Sequence, residues 1–294
     1  MRFMDNDTLK KSLKHYSEHG FSLIKEVIPQ SLIDKVFEMI MTWENDYIAN
    51  WYKTGLINQQ YEDLDHSKRF LKAWLAAGKP QFRRQPNKYL ICAEMYEILT
   101  NEILLDLASQ FLKTSEISVH GIFNTRPMLP ESELFFTRAP WHQDSQYWGL
   151  DYNQEHIDDP KKSHVLTMFM PLQNIDTESG CLSVISTKDT NEKLFAPVEY
   201  DFSSTGFLGL SSEDIKSYPH TAVPMNKGDL LCFNHMVPHG TNPLKKQFVR
   251  WSIDIRYEPT DNRTDLGKRF GFVAQSKKRK NITPINEWLI RAAK

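Results

Sequence analysis

The residues that could do chemistry begin with a histidine and an aspartate separated by one residue. His142 and Asp144 lie in the segment Pro-Trp-His-Gln-Asp-Ser-Gln-Tyr-Trp-Gly-Leu, which spans 140–150. Side chains alternate along a strand, so we expect the imidazole and the carboxylate to point to the same side. Two histidines and one carboxylate on one face of a metal ion form the facial triad of non-haem Fe(II) sites. The second histidine of such a triad must come from another strand.

A downstream segment offers that second histidine. An apolar run, 230–233, follows a Gly-Asp turn and leads into residues rich in Pro, Gly and Asn, as a buried strand running into a loop would. His239 follows this strand and is the candidate, although His235 competes with it at the same strand end. Arg250 comes eleven positions after His239, in a strand predicted over 248–257 with alternating polar and apolar residues. We expect its polar face to line a cavity beside the metal.

A second His-x-Asp tripeptide shows that this spacing is weak evidence when taken alone. His156 and Asp158 lie in Asn-Gln-Glu-His-Ile-Asp-Asp-Pro-Lys-Lys, a composition typical of a loop. No strand alternation would hold these two side chains parallel, so we do not expect them to bind a metal. His120 lies on a predicted strand and could line the cavity, but an isolated histidine in a sheet is more often a structural residue.

The order of these motifs resembles the phytanoyl-CoA dioxygenase family of iron- and 2-oxoglutarate-dependent oxygenases. The motifs follow one another over about a hundred residues: His142-Gln-Asp144, then His239-Gly-Thr241, then Arg250. The segment Gly-Cys-Leu-Ser-Val at 180–184 also looks like that family's mid-barrel strand. The resemblance covers roughly 117–257, and the polar stretch 151–163 departs from the commoner pattern as an insertion.

The resemblance implies a role for each candidate residue. His142, Asp144 and His239 would bind Fe(II), with O2 in a remaining coordination position. Arg250 would hold the far carboxylate of 2-oxoglutarate, because a guanidinium fork suits a carboxylate. Four residues resemble family positions near this cosubstrate: Thr241, Gln143, Asn124 and Phe169. Three aromatic residues would frame the substrate side: Trp141, Tyr147 and Trp148.

The implied reaction is hydroxylation of an aliphatic C–H bond in a small molecule, with succinate and CO2 as co-products. Secondary-metabolite biosynthesis is one setting for it. Desaturation, epimerisation or cyclisation by the same oxidant stay open, as does a jelly-roll binding protein without turnover, which the complete ligand set disfavours. Related iron halogenases carry a small residue where Asp144 stands, so we expect oxygen transfer. The loops 151–163 and 202–217 would define the substrate.

Composition excludes several other classes of protein. The 294 residues carry 36 basic and 37 acidic side chains, so no net field draws the protein to nucleic acid or an anionic membrane. Three cysteines without a CxxC pair favour a reducing compartment. No secretory N-terminus is evident, and no apolar stretch reaches the roughly 18 residues of a membrane helix. We therefore expect a cytoplasmic protein without an obligate protein partner.

The elements that must position these residues fall into a helical part and a strand-rich part. Helices are predicted over 7–20, 29–41 and 91–112. The stretch 45–86 between the second and the third has an irregular pattern. Strands are predicted over 21–27, 117–124, 133–141, 165–172, 181–185, 230–233 and 248–257. Many short strands at even spacing indicate a sandwich or barrel. We expect a mainly β fold, a double-stranded β-helix (a cupin-like jelly roll) with a helical buttress.

The domain organisation predicted from this pattern is one dioxygenase domain over 1–294. Residues 1–115 would form the helical buttress, 116–260 the jelly-roll core and 261–294 a C-terminal extension. The basic run at 275–281 is expected to be a solvated surface segment.

Overall fold

The computed structural model describes residues 4–80, 90–130, 139–148, 164–199, 208–278 and 282–292. Several sequence predictions lie outside these ranges: the insertion 151–163 with His156 and Asp158, most of the predicted strand 133–141, part of the loop 202–217, and the end of the basic run.

The helices within the described ranges are α1 (Asn6–His19), α2 (Gln30–Lys53), α3 (His66–Ala76), α4 (Ala93–Leu99), α5 (Glu102–Leu112), α6 (Ser145–Trp148), α7 (Thr187–Thr190), α8 (Ser212–Lys216), α9 (Asp265–Phe270) and α10 (Ile285–Ala292). The strands are β1 (Phe21–Ile24), β2 (Ile117–Val119), β3 (Asn124–Met128), β4 (Leu166–Pro171), β5 (Leu182–Val184), β6 (Val198–Glu199), β7 (Leu208–Gly209), β8 (Thr221–Val223), β9 (Leu230–Asn234), β10 (His239–Thr241), β11 (Arg250–Pro259) and β12 (Phe272–Gln275).

The bounds of the helices differ from the predicted bounds at places where buried aromatic residues extend a helix or a capping side chain starts a new one. Helix α2 continues past its predicted end at residue 41, because Trp43, Ile48 and Trp51 extend its buried stripe. Helix α3 lies in the segment predicted to be irregular. The single helix predicted over 91–112 is two helices, since the side chain of Asn101 accepts a hydrogen bond from the Ile103 amide (3.0 Å) and starts α5 anew.

The predicted strand 117–124 is likewise two strands, β2 and β3, separated by a turn at Gly121. This glycine has a φ of +89°, and a Cβ atom there would lie 2.5 Å from the backbone carbonyl carbon of Phe270. Only glycine fits this close approach. The turn lets β2 and β3 pair with successive parts of the same strand, β11.

Two antiparallel sheets form the body of the fold. Within the described residues the larger sheet has seven strands in the order β1-β9-β4-β11-β2-β12, with β3 also paired to β11. The smaller sheet has the order β10-β5-β8. This arrangement is that of the predicted double-stranded β-helix. The predicted three-part division of the chain stays a prediction, and β1 and β12, from outside 116–260, contribute strands to the larger sheet.

Alternation along β11 divides the buried residues between the two faces of the larger sheet. Trp251 faces the helices and packs edge-on against Trp43 of α2, with ring centroids 5.7 Å apart. Polar residues on the other face are buried inside the fold: Arg250, Ser252, Asp254 and Arg256. The helices therefore cover one face of the sheet, and the polar face is left to line the interior. No helix in the ranges described above is long and apolar enough to cross a membrane.

One buried carboxylate in the helical layer makes the stability of the fold depend on pH. Glu44 of α2 is fully buried, 3.6 Å from the Arg69 guanidinium. Burial raises the pKa of Glu44 to about 7 from an ordinary value of 4.5, although Arg69 opposes the shift. The folded state therefore binds more protons than the unfolded state between these values, and the contribution of Glu44 becomes less favourable as pH rises through this window.

We predict that Glu44→Gln matches the wild type in free energy of unfolding near pH 4, below the ordinary pKa of the carboxyl, and exceeds it by up to about 3 kcal/mol at pH 8. The amide resembles the protonated carboxylic acid but cannot ionise. Urea unfolding at several pH values measures the difference. A variant less stable than the wild type at pH 8 would mean that the ion pair with Arg69 outweighs the cost of burying the charge.

Candidate metal centre

The two candidate histidines are held opposite each other by their own backbones. The His142 amide donates to the His239 carbonyl and the His239 amide to the His142 carbonyl, both at 2.9 Å. His239 belongs to β10, whereas His142 forms an isolated bridge and not part of a regular strand. The prediction that strand alternation aligns His142 with Asp144 is therefore wrong. The bridge places the two imidazole rings 4.2 Å apart, and a turn after His142 brings Asp144 to them.

Hydrogen bonds to backbone carbonyls select the tautomer of both histidines. His142 Nδ1 lies 2.7 Å from the Pro140 carbonyl oxygen, and His239 Nδ1 lies 3.0 Å from that of Val237. A carbonyl can only accept, so each Nδ1 carries the proton and each Nε2 keeps its lone pair. Burial, reinforced by the neighbouring His142, lowers the pKa of His239 to about 3. His239 is thus a neutral imidazole, the form that binds metal ions.

Asp144 completes the group and is held from the larger sheet. Its Oδ1 lies 3.6 Å from His142 Nε2. Its Oδ2 accepts hydrogen bonds from the Thr167 hydroxyl (2.8 Å) and from Arg256 Nε (3.1 Å). Burial alone would raise the pKa of Asp144, but the Arg256 guanidinium and the adjacent histidines hold it well below its usual range. The carboxylate is therefore ionised.

The chemistry of this group fits a divalent transition metal ion. Ligand atoms of His142, Asp144 and His239 lie within 4.8 Å of one another, and all three residues are buried. Two imidazole nitrogens and one carboxylate oxygen are the donor set of the Fe(II) facial triad. His235, the competing candidate, is not in this group; its carbonyl accepts a hydrogen bond from the Ser145 amide (3.0 Å) instead. The geometry favours His239 over His235.

Arg250 lies on the same inner face of β11, with 1% of its surface exposed. Its Nη1 donates to the Ser252 hydroxyl, and its Nη2 lies 3.4 Å from the sulfur of Met128. Its Nε has no hydrogen-bond partner among the described residues. Burial, together with the nearby Arg126, lowers the pKa of Arg250 to about 10, so the guanidinium remains charged at neutral pH. A buried cation that has no carboxylate partner in the described part of the chain suits an anionic ligand.

Three further predicted cosubstrate residues lie on the interior walls. Phe169 of β4 packs its ring 5.8 Å from the Arg250 guanidinium carbon. The Asn124 amide donates to Asp254 Oδ1 at 3.0 Å. Thr241 is buried two residues after His239 on β10, so the two side chains share a face of the smaller sheet. Their roles in binding the cosubstrate stay predictions.

Gln143 points away from this interior and connects three backbone segments. Its amide nitrogen donates to the carbonyls of Lys193 (2.8 Å) and Met236 (2.7 Å), and its amide oxygen accepts from the Phe195 amide (2.9 Å). These contacts fix the turn between His142 and Asp144. A contact with the cosubstrate, which the resemblance implied, stays a prediction.

The predicted aromatic residues lie around the histidine bridge. The Trp141 ring packs on Gly240, where a Cβ atom would come within 2.8 Å of the indole, so the motif His239-Gly240-Thr241 needs its glycine. The Tyr147 ring contacts His142 edge-on at 5.7 Å, and its hydroxyl bonds both backbone groups of Leu208. For Trp148 the structure describes the backbone in α6 but not the side chain. Their role toward the substrate stays a prediction.

Sequence analysis did not assign a function to the residues that surround Asp144. Arg256 contacts Asp144 and also donates from Nη1 to Asp254 Oδ1 (2.6 Å), which in turn accepts from Arg126 Nε (2.7 Å) at its other oxygen. The alternation of β11 had placed Asp254 and Arg256 on the polar face. Their pairing with Asp144 and Arg126 could not be read from spacing, because both partners come from other elements.

His120 is a further buried histidine close to this network. It has no exposed surface, and burial, together with the nearby Arg256, lowers its pKa to about 3. It is neutral and outside the group of three ligand residues. Full burial outside the ligand group agrees with the expectation of a structural core histidine.

We predict that His239→Ala abolishes tight binding of Fe(II) or Co(II), whereas His235→Ala retains it. Removal of His239 takes away one of the three ligands, whereas His235 lies outside the group of ligand residues. Anaerobic titration with Co(II), followed by visible absorption, measures both constants. Retention of metal by His239→Ala together with loss in His235→Ala would reverse the assignment.

Comparisons with known proteins agree with the chemistry of this centre. The sequence profile of the family "Phytanoyl-CoA dioxygenase (PhyH)" matches residues 16–250. The chain is 24% identical over 268 residues to the peroxisomal phytanoyl-CoA dioxygenase of Mus musculus, which covers 88% of this chain and 71% of the mouse protein. The human protein of the same name is 22% identical over 267 residues, with the same coverage.

Solved structures with low sequence identity share the fold. The epimerase SnoN in complex with Fe3+, alpha ketoglutarate and nogalamycin RO superposes with a TM-score of 0.53 at 12% identity, over 92% of this chain and 87% of SnoN. EvdO2 from Micromonospora carbonacea var. aurantiaca, complexed with 2-oxoglutarate, gives 0.52 at 16% identity, over 87% and 91% of the two chains. These likenesses confirm the predicted jelly roll, and the profile match confirms the predicted family and enzyme class. The chain belongs to the phytanoyl-CoA dioxygenase (PhyH) family.

Proposed function

We propose that this dioxygenase uses Fe(II), 2-oxoglutarate and O2 to hydroxylate an aliphatic C–H bond of a small-molecule substrate. The observation that carries the proposal is the buried group of His142, Asp144 and His239, with both Nε2 atoms freed for a metal by the carbonyls that bind Nδ1. Bound Fe(II) and 2-oxoglutarate would supply the oxidising chemistry, with succinate and CO2 as co-products.

The fit of 2-oxoglutarate follows from two neighbouring residues on β4. Thr167 bonds Asp144, and Phe169, two positions later on the same face, packs against Arg250. Two residues of a strand span about 7 Å, which is the length scale of a short dicarboxylate. One end of such a molecule would reach the metal while Arg250 binds the other. The apolar wall between them includes Phe169, Leu231 and Phe233.

The charges of the interior also favour a dianion. Among the described residues, three guanidinium groups lie there, from Arg126, Arg250 and Arg256, together with two carboxylates, from Asp144 and Asp254. A bound divalent cation would add to this excess of positive charge. Arg250 Nε and Arg126 Nη1 are both buried without a hydrogen-bond partner among the described residues. Arg126 is already paired with Asp254, whereas Arg250 would gain a charged partner from a dicarboxylate.

The residues of this chain then have distinct tasks. His142, Asp144 and His239 bind the metal, Arg250 orients the cosubstrate, and Thr241, Asn124 and Phe169 line its site. Gln143 braces the metal-binding turn through its backbone contacts. Trp141, Tyr147 and Trp148 frame the approach of the substrate. A buried, apolar wall beside the metal excludes water from the reacting groups.

We further propose that residues 1–294 act as one catalytic domain in the cytoplasm. One hydrophobic cluster runs from the helices into the larger sheet, so the helical part shares its core with the sheet that carries Arg250 and Arg256. All three cysteines, Cys92, Cys181 and Cys232, are free thiols, as expected in a reducing compartment. Desaturation, epimerisation and cyclisation are alternative outcomes of the same chemistry, and the mass of the product distinguishes them from hydroxylation.

We predict that Arg250→Ala weakens binding of 2-oxoglutarate by about thirty-fold to several thousand-fold. Loss of one partner of a buried charged hydrogen bond costs roughly 2–5 kcal/mol. Calorimetric titration of the anaerobic, Co(II)-loaded protein measures the constant, and Co(II) affinity should stay unchanged. Arg269→Ala, which removes an exposed arginine, is the matched control. An unchanged 2-oxoglutarate constant in Arg250→Ala would remove the cosubstrate assignment.

We predict that the reaction transfers oxygen and not halogen, because Asp144 occupies the position that a halide would need. A library of small metabolites, including lipid-like and secondary-metabolite scaffolds, is screened for substrate-dependent release of succinate. With labelled O2, one labelled atom should enter succinate and one the product, at low and high chloride alike. Asp144→Ala should lose product formation. A halogenated product from the wild-type protein would show that Asp144 is not a metal ligand.

A further inference from the structure

Two residues that are direct cross-strand partners present their side chains to the same carboxylate oxygen. Arg256 of β11 is paired in register with Thr167 of β4, so their side chains leave the larger sheet side by side on its inner face. Both donate to Asp144 Oδ2: the Thr167 hydroxyl at 2.8 Å and Arg256 Nε at 3.1 Å. All three residues are buried.

The two carboxylate oxygens of Asp144 therefore differ in the hydrogen bonds that they accept. Each carboxylate oxygen has about two lone-pair positions for hydrogen bonds. Both positions of Oδ2 are used, whereas the hydrogen bond to Oδ1 from the described part of the chain is a long one, from Arg256 Nη2 at 3.4 Å. Oδ1 is also the oxygen that lies 3.6 Å from His142 Nε2. Oδ1 therefore has a lone pair available to bind a metal ion that the two histidines hold.

Arg256 cannot easily move away from this position. Its Nη1 donates to Asp254 Oδ1 at 2.6 Å, and Asp254 is held by Arg126 Nε at 2.7 Å and the Asn124 amide at 3.0 Å. The chain of ion pairs from Arg126 to Asp144 thus crosses β3 and β11 and ends at the metal-binding carboxylate. A bidentate contact from Arg256 spans both oxygens of Asp144 and fixes the plane of the carboxylate.

We propose that Arg256 and Thr167 are positioning residues that restrict Asp144 to binding the metal through Oδ1 alone. The proposal rests on the metal site of the proposed function. An octahedral ion with three protein ligands and a chelating 2-oxo acid has a single position left for O2. A carboxylate that bound through both oxygens would take that position or compete with the 2-oxo acid. The pair on β4 and β11 keeps Oδ2 occupied and so keeps the position open.

Thr167→Val tests the proposal with the least disturbance, because valine has nearly the shape of threonine but lacks the hydroxyl. Thr125→Val is the matched control: Thr125 is equally buried, in β3 of the same sheet, and its hydroxyl has no partner among the described residues. The probe is Co(II), whose visible bands change with its ligand set and coordination geometry. Thr167→Val should retain Co(II), alter these bands before any cosubstrate is added, and bind 2-oxoglutarate about 10–100-fold more weakly.

Variants of Arg256 separate its charge from its geometry. Arg256→Lys keeps a charged donor, and Arg256→Gln keeps a donor without charge. We expect the Co(II) bands of Arg256→Lys to differ less from those of the wild type than the bands of Arg256→Gln do. Neither variant should match the wild type, because neither side chain has the guanidinium fork. Thermal unfolding of each variant checks that the fold is retained, and Thr167→Val decides the matter if the Arg256 variants do not fold.

The outcomes distinguish this inference from the function on which it rests. If wild-type protein binds neither Co(II) nor Fe(II), the proposed function fails and the positioning role with it. If the wild type binds Co(II) and 2-oxoglutarate, but Thr167→Val gives the same bands and the same affinity as Thr125→Val, only the positioning role is overturned. A purely structural role of Thr167 would lower the unfolding temperature and leave the Co(II) bands unchanged.

Discussion

The two backbone hydrogen bonds between His142 and His239 are the constraint on which the candidate centre depends. They tie the segment that carries His142 and Asp144 to β10 of the smaller sheet. Asp144 is tied at the same time to the larger sheet, through Thr167 and Arg256. The centre therefore lies where the two sheets of the jelly roll are joined, and each sheet holds part of it. Side chains that are fixed from two rigid elements keep their geometry when ligands bind and leave.

This arrangement buries several charged side chains, which is unfavourable for folding but supplies the groups that would bind the ligands. A continuous chain of ion pairs in the interior is formed by Arg126, Asp254, Arg256 and Asp144. Arg250 lies on the same strand and has no ion pair with a carboxylate of the described residues. Replacing such groups with apolar residues often stabilises a protein, so ion pairs of this kind are weak evidence for stability. The proposed function gives these charges a role, because the carboxylate of Asp144 would bind a metal cation and the Arg250 guanidinium would bind the 2-oxoglutarate dianion.

The sequence predicted the chemistry of the centre better than its local structure. The residues predicted as ligands come together, but His142 and Asp144 do so through a bridge and a turn and not through strand alternation. A tripeptide cannot distinguish these cases, because both place residues i and i+2 close together. Likewise the run 91–112 has helical periodicity throughout, and only the hydrogen bond from the Ile103 amide to Asn101 divides it. Short-range pattern defines the type of element, whereas caps and tertiary contacts define where it ends.

The sequence alone determined which residues could carry metal chemistry, because ligand types, their order and their spacing are local properties of the chain. It also determined the polar face of β11, since alternation follows from the geometry of a strand. The sequence already favoured His239 over His235 through the residues that follow it, and the tertiary structure gave the physical reason, because the backbone bridge brings His239 to His142 and Asp144. The tertiary structure decided which donors meet Asp144: Arg256 and Thr167 are far apart in sequence, and the register between β4 and β11 makes them neighbours. Register is a property of paired strands, and no single segment of the chain contains it.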